Sequence, residues 1–539
     1  MITFSATNGS STITVTDPGH GAGQQDPKDF VTFSNAASLG GNITAAVLNQ
    51  DYEITIIDSN SYTIEARSTN KFEIVPVLAN SSDVGDGGGA TTAKYGIPSG
   101  YAFTTYGYGW GAGTWGGMPW GLSAPTPVNL IQRDWWFDNF DNDLVMNIRK
   151  GAIYYWSRGS LANPSTALDT RAVALSSLSG AADVPNKVMQ ILVSQNDKHL
   201  LALGCQPYAG SATDYDPLLI RWASQDEPQM WTPLITNSAG FLRVSRGSEI
   251  VRGLATRQEI LVFTNSSLYS LQYTGTLDVF ALQELADNIS IISPRAVTTA
   301  NNVTYWMGQD KFYVYSGQVQ TLPCTIRQYV FQDLNFDQVN QIVCGTNEGF
   351  TEIWWFYPSA NSNWNDRYVI FNHLEGVWYY GNLVRTAWLD TALRSNPVAA
   401  YTGQNDTVGY EYQHEVGVND GDAPMTSYIQ SSDYDLGDGE QFMLTRRLLP
   451  DFNFTNSTAA TPTVTLTMRP KRFSGSAYAN TASDSQDVAS TYATLDQYTE
   501  QVFVRARGRQ MAFRISSDGL GVQWQSGSHR LDVRPDGKR

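Results

Sequence analysis

A chain of 539 residues with a net charge of −16 is longer than one hydrophobic core usually serves, so two or three structural regions are expected unless modules repeat side by side. Only 16% of the residues are charged while 12% are aromatic, a balance that disfavours long surface helices and favours sheet and turn. No signal-like start and no run of about 18 apolar residues occurs, so neither general secretion nor a membrane span is expected, and the acidic total disfavours tight wrapping of nucleic acid.

Residues 1–80 read as a small β module. Thr12-Ile13-Thr14-Val15-Thr16 alternates, Asp17-Pro18-Gly19 turns the chain, and Phe30-Val31-Thr32-Phe33, Tyr52-Glu53-Ile54-Thr55-Ile56-Ile57 and Tyr62-Thr63-Ile64-Glu65-Ala66 supply further strands. Residues 42–50 admit a short helix or another strand. Residues 81–143 form a glycine- and tryptophan-rich loop and connection, with Gly85-Asp86-Gly87-Gly88-Gly89 followed by glycines interleaved with Tyr106, Tyr108, Trp110, Trp115 and Trp120. Glycine at that density loses too much backbone entropy on ordering to sustain regular structure cheaply. The aromatic side chains on it suit a contact with a protein, a sugar or a neighbouring subunit; alternatively the rings fold back and cap the local core.

Residues 144–447 carry short runs of aromatic and β-branched residues separated by turns, such as Glu259-Ile260-Leu261-Val262-Phe263-Thr264 and Glu352-Ile353-Trp354-Trp355-Phe356-Tyr357. Strand, turn, strand at intervals of roughly ten residues, in groups of about forty to fifty, predicts four-stranded propeller blades. The expected fold is therefore all-β, a β-propeller of about six blades at 144–180, 187–223, 228–273, 278–322, 338–380 and 385–447, with seven admissible. Ser224-Gln225-Asp226-Glu227-Pro228-Gln229-Met230-Trp231 approaches the S-x-D-x-G-x-x-W turn of sialidases and other propellers, with Pro228 at the glycine position. In those proteins the turn is structural and remote from catalysis.

Residues 448–539 break that rhythm and predict an additional β region, in which residues 474–494 are a loop or extended arm. From 505 to 539 there are eight basic residues against three acids, a segment of +5 that leaves −21 for the rest of the chain. Arg505, Arg507 and Arg509 alternate, which would place them on one face of a strand, and with Arg514, Arg530 and Arg534 they are candidates for contact with an acidic partner. A solvated tail with strand character is the competing reading.

Motifs for chemistry are missing. The five histidines are dispersed and H-E-x-x-H is absent, so no metal is expected. Cys205, Cys324 and Cys344 form no C-x-x-C pair, which predicts no disulfide framework and a reducing place of folding. No phosphate-cradling G-x-x-x-x-G-K-[ST] or G-x-S-x-G elbow occurs. Neither enzymatic activity nor a cofactor is expected.

Four stretches carry a family resemblance: Asp29-Phe30-Val31-Thr32-Phe33-Ser34-Asn35-Ala36 with Leu39-Gly40-Gly41-Asn42-Ile43-Thr44; Tyr108-Gly109-Trp110-Gly111-Ala112-Gly113-Thr114-Trp115-Gly116; Trp222-Ala223-Ser224-Gln225-Asp226-Glu227-Pro228; and the ending from Gly527 to Arg539. In these the chain resembles the tail nozzle and packaged-DNA stabilisation proteins of short-tailed bacteriophages. The resemblance implies a structural virion protein, made in the host cytoplasm and placed at the tail tip. It implies a ring of six copies below the portal and adaptor, beside tail fibres or spikes, that retains packaged DNA and passes it during ejection without sequence-specific binding. Relatives of that kind usually carry a further segment before the first β module, which implies that the first sheet here lacks strands. The alternative function is a carbohydrate-active or receptor-binding tail protein recognising host surface polysaccharide, for which Tyr106, Tyr108, Trp110, Trp115 and Trp120 are the contact candidates.

Overall fold

The computed structural model describes residues 2–22, 29–70, 73–96, 104, 134–158, 172–211, 214–276, 278–390, 396–401, 409–478 and 490–538. It divides into two compact units, Met1–His414 and Glu415–Arg539. The described residues are almost entirely antiparallel β structure.

The first unit opens with a module of alternating strands. Thr12–Thr16 lies between Thr3–Ala6 and Ser61–Glu65, and Phe30–Ser34 lies between Asp51–Glu53 and Thr92–Gly96. Alternation sends Ile13, Val15, Val31, Phe33, Tyr62 and Ile64 into one core. Of the two structures open to residues 42–50, the chain takes a single helical turn, Ala45–Leu48, capped by the Thr44 hydroxyl. The module extends past residue 80, because the glycine-rich run packs against it. Phe4 N donates to Asp86 O at 3.0 Å, Gly85 N to Leu39 O and Ala37 N to Gly87 O, both at 2.7 Å. Gly87 has φ +85°, and a Cβ there would lie 2.2 Å from the Phe4 ring, so close approach and left-handed backbone both require glycine.

Beyond it follow five four-stranded antiparallel meanders in chain order, spanning Trp135 to Ala174, Val188 to Arg243, Ile250 to Asp287, Val297 to Leu322 and Val343 to Asn382. A three-stranded sheet of Ala387–Leu389, Val398–Tyr401 and Tyr410–Gln413 comes next. Strands such as Val188–Ser194 and His199–Cys205 are buried along both faces, because each sheet is packed between neighbours and apolar clusters fill the spaces between successive sheets.

Buried amides tie adjacent sheets together. Asn147 accepts from Ile191 N at 3.0 Å and donates to Val188 O at 3.0 Å; Gln190 accepts from Gly253 N and donates to Gly253 O, both at 2.8 Å. One side chain thus completes backbone bonding that a strand without a neighbour on that side would otherwise lack. Trp388 closes over Gly345, where a Cβ would lie 2.1 Å from the indole, and donates to Thr346 O at 2.8 Å.

The motif at residues 224–231 forms the expected turn after the third strand of the second sheet. Asp226 takes φ 58°, Ser224 N donates to Met230 O at 2.8 Å, and the fully buried Trp231 donates from its indole to Pro228 O at 2.8 Å. Proline serves here because that position supplies a carbonyl and no N–H.

The segment expected as a blade at 385–447 is divided. Its sheet stops at Gln413, and the following strands pair with the carboxy-terminal region. Ser427–Gln430 pairs with Gln510–Ser517, and Met443–Leu449 lies between Val502–Gly508 and Arg530–Pro535. Strand rhythm counts strands without naming their partners, so the boundary at residue 414 is invisible to it. Part of the expected loop at 474–494 is also strand, since Thr491–Asp496 pairs along Thr463–Lys471.

The second unit is a sandwich. A sheet ordered Ser427–Gln430, Gln510–Ser517, Thr463–Lys471, Thr491–Asp496 packs on one ordered Val502–Gly508, Met443–Leu449, Arg530–Pro535. Residues of both sheets, including Met443, Leu448, Leu466, Met468, Val504, Ala506, Met511 and Ile515, form the core.

Candidate functional site

The three-stranded sheet of the sandwich turns one face to its core and gathers arginines on the other. Thr445, Val504 and Ala506 are buried, so their strand neighbours point outward. Register places Leu444 opposite Arg507 and Arg534, Arg447 opposite Phe503 and Asp532, and Leu449 opposite Arg530, and residues directly opposite share a face. Arg505 is exposed between Val504 and Ala506, and Arg446, exposed as well, sits at the bulge between Thr445 and Arg447. The outer face therefore holds Arg446, Arg447, Arg505, Arg507, Arg530 and Arg534.

Two of these are paired with carboxylates, and Arg447 donates to Gln501 Oε1 at 3.4 Å. Arg507 pairs with Asp536 at 2.5 Å and lies 4.1 Å over the Phe442 ring, and Arg534 Nε is 3.5 Å from Asp532 Oδ1. Arg446, Arg505 and Arg530 meet no anion among the described residues. Phe503, 75% exposed, stands among them and shares a shallow depression with Leu444, Arg446 and Arg505. An array of guanidinium forks around an exposed ring matches planar carboxylates presented with some apolar surface.

Arg505, Arg507, Arg530 and Arg534 of the sequence candidates are thus brought together, and the other two are not. Arg509 lies at the corner where the chain passes from one sheet to the other; it donates to Lys538 O at 3.1 Å, and its side chain lies 5.2 Å from the Phe442 ring. Arg514 belongs to the four-stranded sheet and stacks on Tyr428 at 3.9 Å. Alternation puts Arg509 in register with Arg505 and Arg507 only while the strand continues, and Val502–Gly508 ends just before it. Arg446 and Arg447 escaped the sequence reading because they precede the basic segment. The signal available was their adjacency directly after a cation-free acidic stretch. Tyr106, Tyr108, Trp110, Trp115 and Trp120 lie outside the described residues.

Other titratable groups serve packing. All five histidines pack against aromatic rings, edge-on for His20 on Tyr62 and His199 on Phe280, tilted for His373 on Tyr305, His414 on Trp388 and His529 on Phe452. Burial pushes the Cys324 thiol up to about 11 and Cys205 to about 12, which removes thiolate character at neutral pH. Among the described residues no three His, Cys, Asp or Glu groups converge as a metal site, and no helix is long and apolar enough to cross a membrane. Both the Arg252 and the Arg295 guanidinium groups lie over the Trp136 ring, at 4.3 and 4.6 Å, and Arg295 Nε donates to Asp134 Oδ1 at 2.8 Å. That clasp joins the first and third sheets to the chain entering the fourth.

At the end of the four-stranded sheet, Asp433 accepts from Lys471 Nζ at 2.5 Å and Tyr478 Oη at 2.6 Å. Burial works upward on its carboxyl, but the bonds from Lys471 and Tyr478 outweigh it and hold the group below its ordinary value. A depressed folded value contributes stability above the unfolded value, near 4, that is lost as pH falls through the folded one. Asp433→Asn is expected to destabilise the sandwich by about 1–2 kcal/mol at neutral pH and to flatten its acid melting between pH 5 and 3, as measured by thermal denaturation at stepped pH.

No protein-family model matches the chain, and no curated protein matches it. Among solved structures, a complex of S. cerevisiae Dbp5 bound to Nup159, Gle1, IP6 and ADP is similar over 52% of this chain and 73% of that one, at 9% identity and a TM-score of 0.32. Kluyveromyces lactis Hsv2 is similar over 60% of this chain and 94% of its own, at 9% identity and a TM-score of 0.29. The AfRom2 CNH domain is similar over 49% and 88%, at 10% identity and a TM-score of 0.28.

Proposed function

We propose that this chain is a structural subunit of a short-tailed bacteriophage tail nozzle, a ring of six copies that retains packaged DNA and conducts it during ejection without catalysing a reaction. The observation that carries the reading is the arginine face of the carboxy-terminal sandwich. Guanidinium groups displayed on a rigid sheet suit a lasting contact with an acidic protein surface, in the adaptor or a neighbouring subunit. In the first unit the successive sheets form the blades of a six-bladed propeller, and the buried amides between them stiffen the wall such a conduit needs. An acidic body lets a polyanion pass, since few cations are offered for counterion release.

Immunogold labelling on virions of the encoding phage tests this. Label on the tail axis at the tip is the expected result. Label on peripheral fibres, or release of reducing ends from host surface polysaccharide by the purified protein, overturns it in favour of a fibre or carbohydrate-active protein.

A further inference from the structure

The second unit carries charges of opposite sign on two separate surfaces, and neither set is fully neutralised within it. From residue 395 to 445 the sequence holds nine acids and no Lys or Arg. Seven of the nine belong to the sandwich unit, between 415 and 440. Some are engaged there: Asp433 with Lys471, and Glu440 with Lys538 at 3.0 Å. Asp420 and Asp422 meet no cation among the described residues. They sit on a two-strand hairpin, Asn419–Asp420 with Ala423–Pro424, exposed along its length from Asp420 to Pro424 and tied to the body by Gly521 N donating to Asn419 Oδ1 at 2.6 Å.

Immediately after the hairpin come the exposed Met425, Tyr428 and Ile429, the last two on the edge strand Ser427–Gln430. Among the described residues that strand pairs only with Gln510–Ser517, which leaves its other side as a sheet edge there. The acidic hairpin is a separate two-stranded ribbon that leads into the edge strand of the four-stranded sheet, whereas the arginines and Phe503 occupy the outer face of the three-stranded one.

We infer that the arginine face of one copy receives the acidic hairpin and edge strand of a second copy, so that subunits join head to tail through their carboxy-terminal sandwiches. This rests on the ring reading above and deepens it by naming both halves of the contact. Each half joins unpaired charge to exposed apolar surface: Arg446, Arg505 and Arg530 with Phe503 on one side, Asp420 and Asp422 with Met425 and Ile429 on the other, beside Tyr428 and the Arg514 that covers its ring. Duplex DNA offers phosphates to the arginines but nothing to cover Phe503, and the chain's net charge of −16 opposes its approach. Because the two surfaces differ, the contact is heterologous, and such contacts propagate into a ring when the rotation closes.

Sedimentation velocity of the full-length protein tests the inference with two charge-reversed forms. One carries Arg446→Glu, Arg505→Glu and Arg530→Glu; the other carries Asp420→Lys and Asp422→Lys. The wild type is expected to assemble at low salt, and each variant alone to associate at least tenfold more weakly. An equimolar mixture should regain association, because the acidic hairpin of the first variant meets the arginine face of the second and the reversed Glu and Lys surfaces also complement each other. Arg446→Lys with Arg505→Lys should retain assembly, and unchanged circular dichroism guards against misfolding. A monomeric wild type, either variant assembling normally, or a mixture that stays monomeric overturns the inference. So does loss of duplex DNA binding in the arginine variant while its assembly mass is unchanged, which would assign the face to nucleic acid. Off-axis label on virions would remove the nozzle reading and leave these mass measurements standing.

Discussion

Replacing Arg221 with methionine is expected to destabilise the second and neighbouring sheets by about 2–4 kcal/mol, the cost of leaving several carbonyls and a half-buried carboxylate without their donor. Its side chain is 1% exposed. One terminal nitrogen reaches Asp183 Oδ2 at 2.5 Å, Asp183 O at 2.9 Å and Trp231 O at 3.2 Å, and the other reaches Gln206 O at 3.1 Å. Methionine fills most of the volume but leaves three carbonyls and a carboxylate without their donor, and each buried acceptor keeps its desolvation penalty. The guanidinium also lies 5.9 Å from the Trp231 ring, so the loss reaches the turn at 224–231. Hydrogen exchange followed by mass spectrometry is the suitable measurement, because it resolves local opening in a chain of two units. Protection should fall at residues 182–184 and 224–231. Arg221→Lys should recover only part of it, since a single ammonium cannot reach four acceptors in a planar fork. Unchanged protection in the methionine variant would show that the cluster is not what holds the turn.

Asp83→Asn is expected to cost the amino-terminal module about 2–4 kcal/mol. The carboxylate is 4% exposed and accepts four backbone N–H groups: Gly41 at 2.8 Å and Ile43 at 3.0 Å on Oδ1, Asn42 at 3.0 Å and Asn80 at 2.8 Å on Oδ2. Bonds to a charged acceptor contribute more than neutral ones, about 1.5–3 kcal/mol each before compensation. Asparagine keeps one acceptor oxygen and turns its NH2 toward two donors. Burial alone would raise the Asp83 carboxyl, but the backbone bonds from Asn80, Ile43, Gly41 and Asn42 prevail and lower it. Since the folded value is depressed, its stabilisation is complete above the unfolded value near 4 and disappears as pH falls through the folded one. Wild-type protection at residues 39–43 should therefore decline below about pH 4, while the Asp83→Asn variant should be equally weak at pH 4 and pH 7. A variant that keeps wild-type protection at neutral pH would refute this role for the carboxylate.

The strands were legible because their signals are local. Thr463–Lys471 alternates buried and part-buried residues from end to end, as the written run of Thr, Val, Leu and Met predicts, and the turn at 224–231 forms with proline in the glycine place. The glycines at 85–89 form no strand or helix, although Thr92–Gly96 inside the expected loop is a strand, and the need for glycine is not local: the Phe4 ring that requires Gly87 comes from a strand far away in sequence. Asp83 gave no sign at all, since its four donors are backbone groups that only the folded loop at 39–43 aims at one point.

What the amino-acid order determined by itself was where strands and turns fall, because a period of two and a change of backbone direction are settled within a few residues. It also determined the segregation of charge, acids without cations from 395 to 445 and arginines after 505. The tertiary structure alone decided which strands became neighbours. Met443–Leu449 leaves the run of meanders to lie between two strands of the carboxy terminus, and only that pairing sets Arg446 and Arg447 among Arg505, Arg507, Arg530 and Arg534. Strand pairing is a long-range choice, made by burying one face of each candidate partner in a shared core, and no local pattern records which partner buries it best.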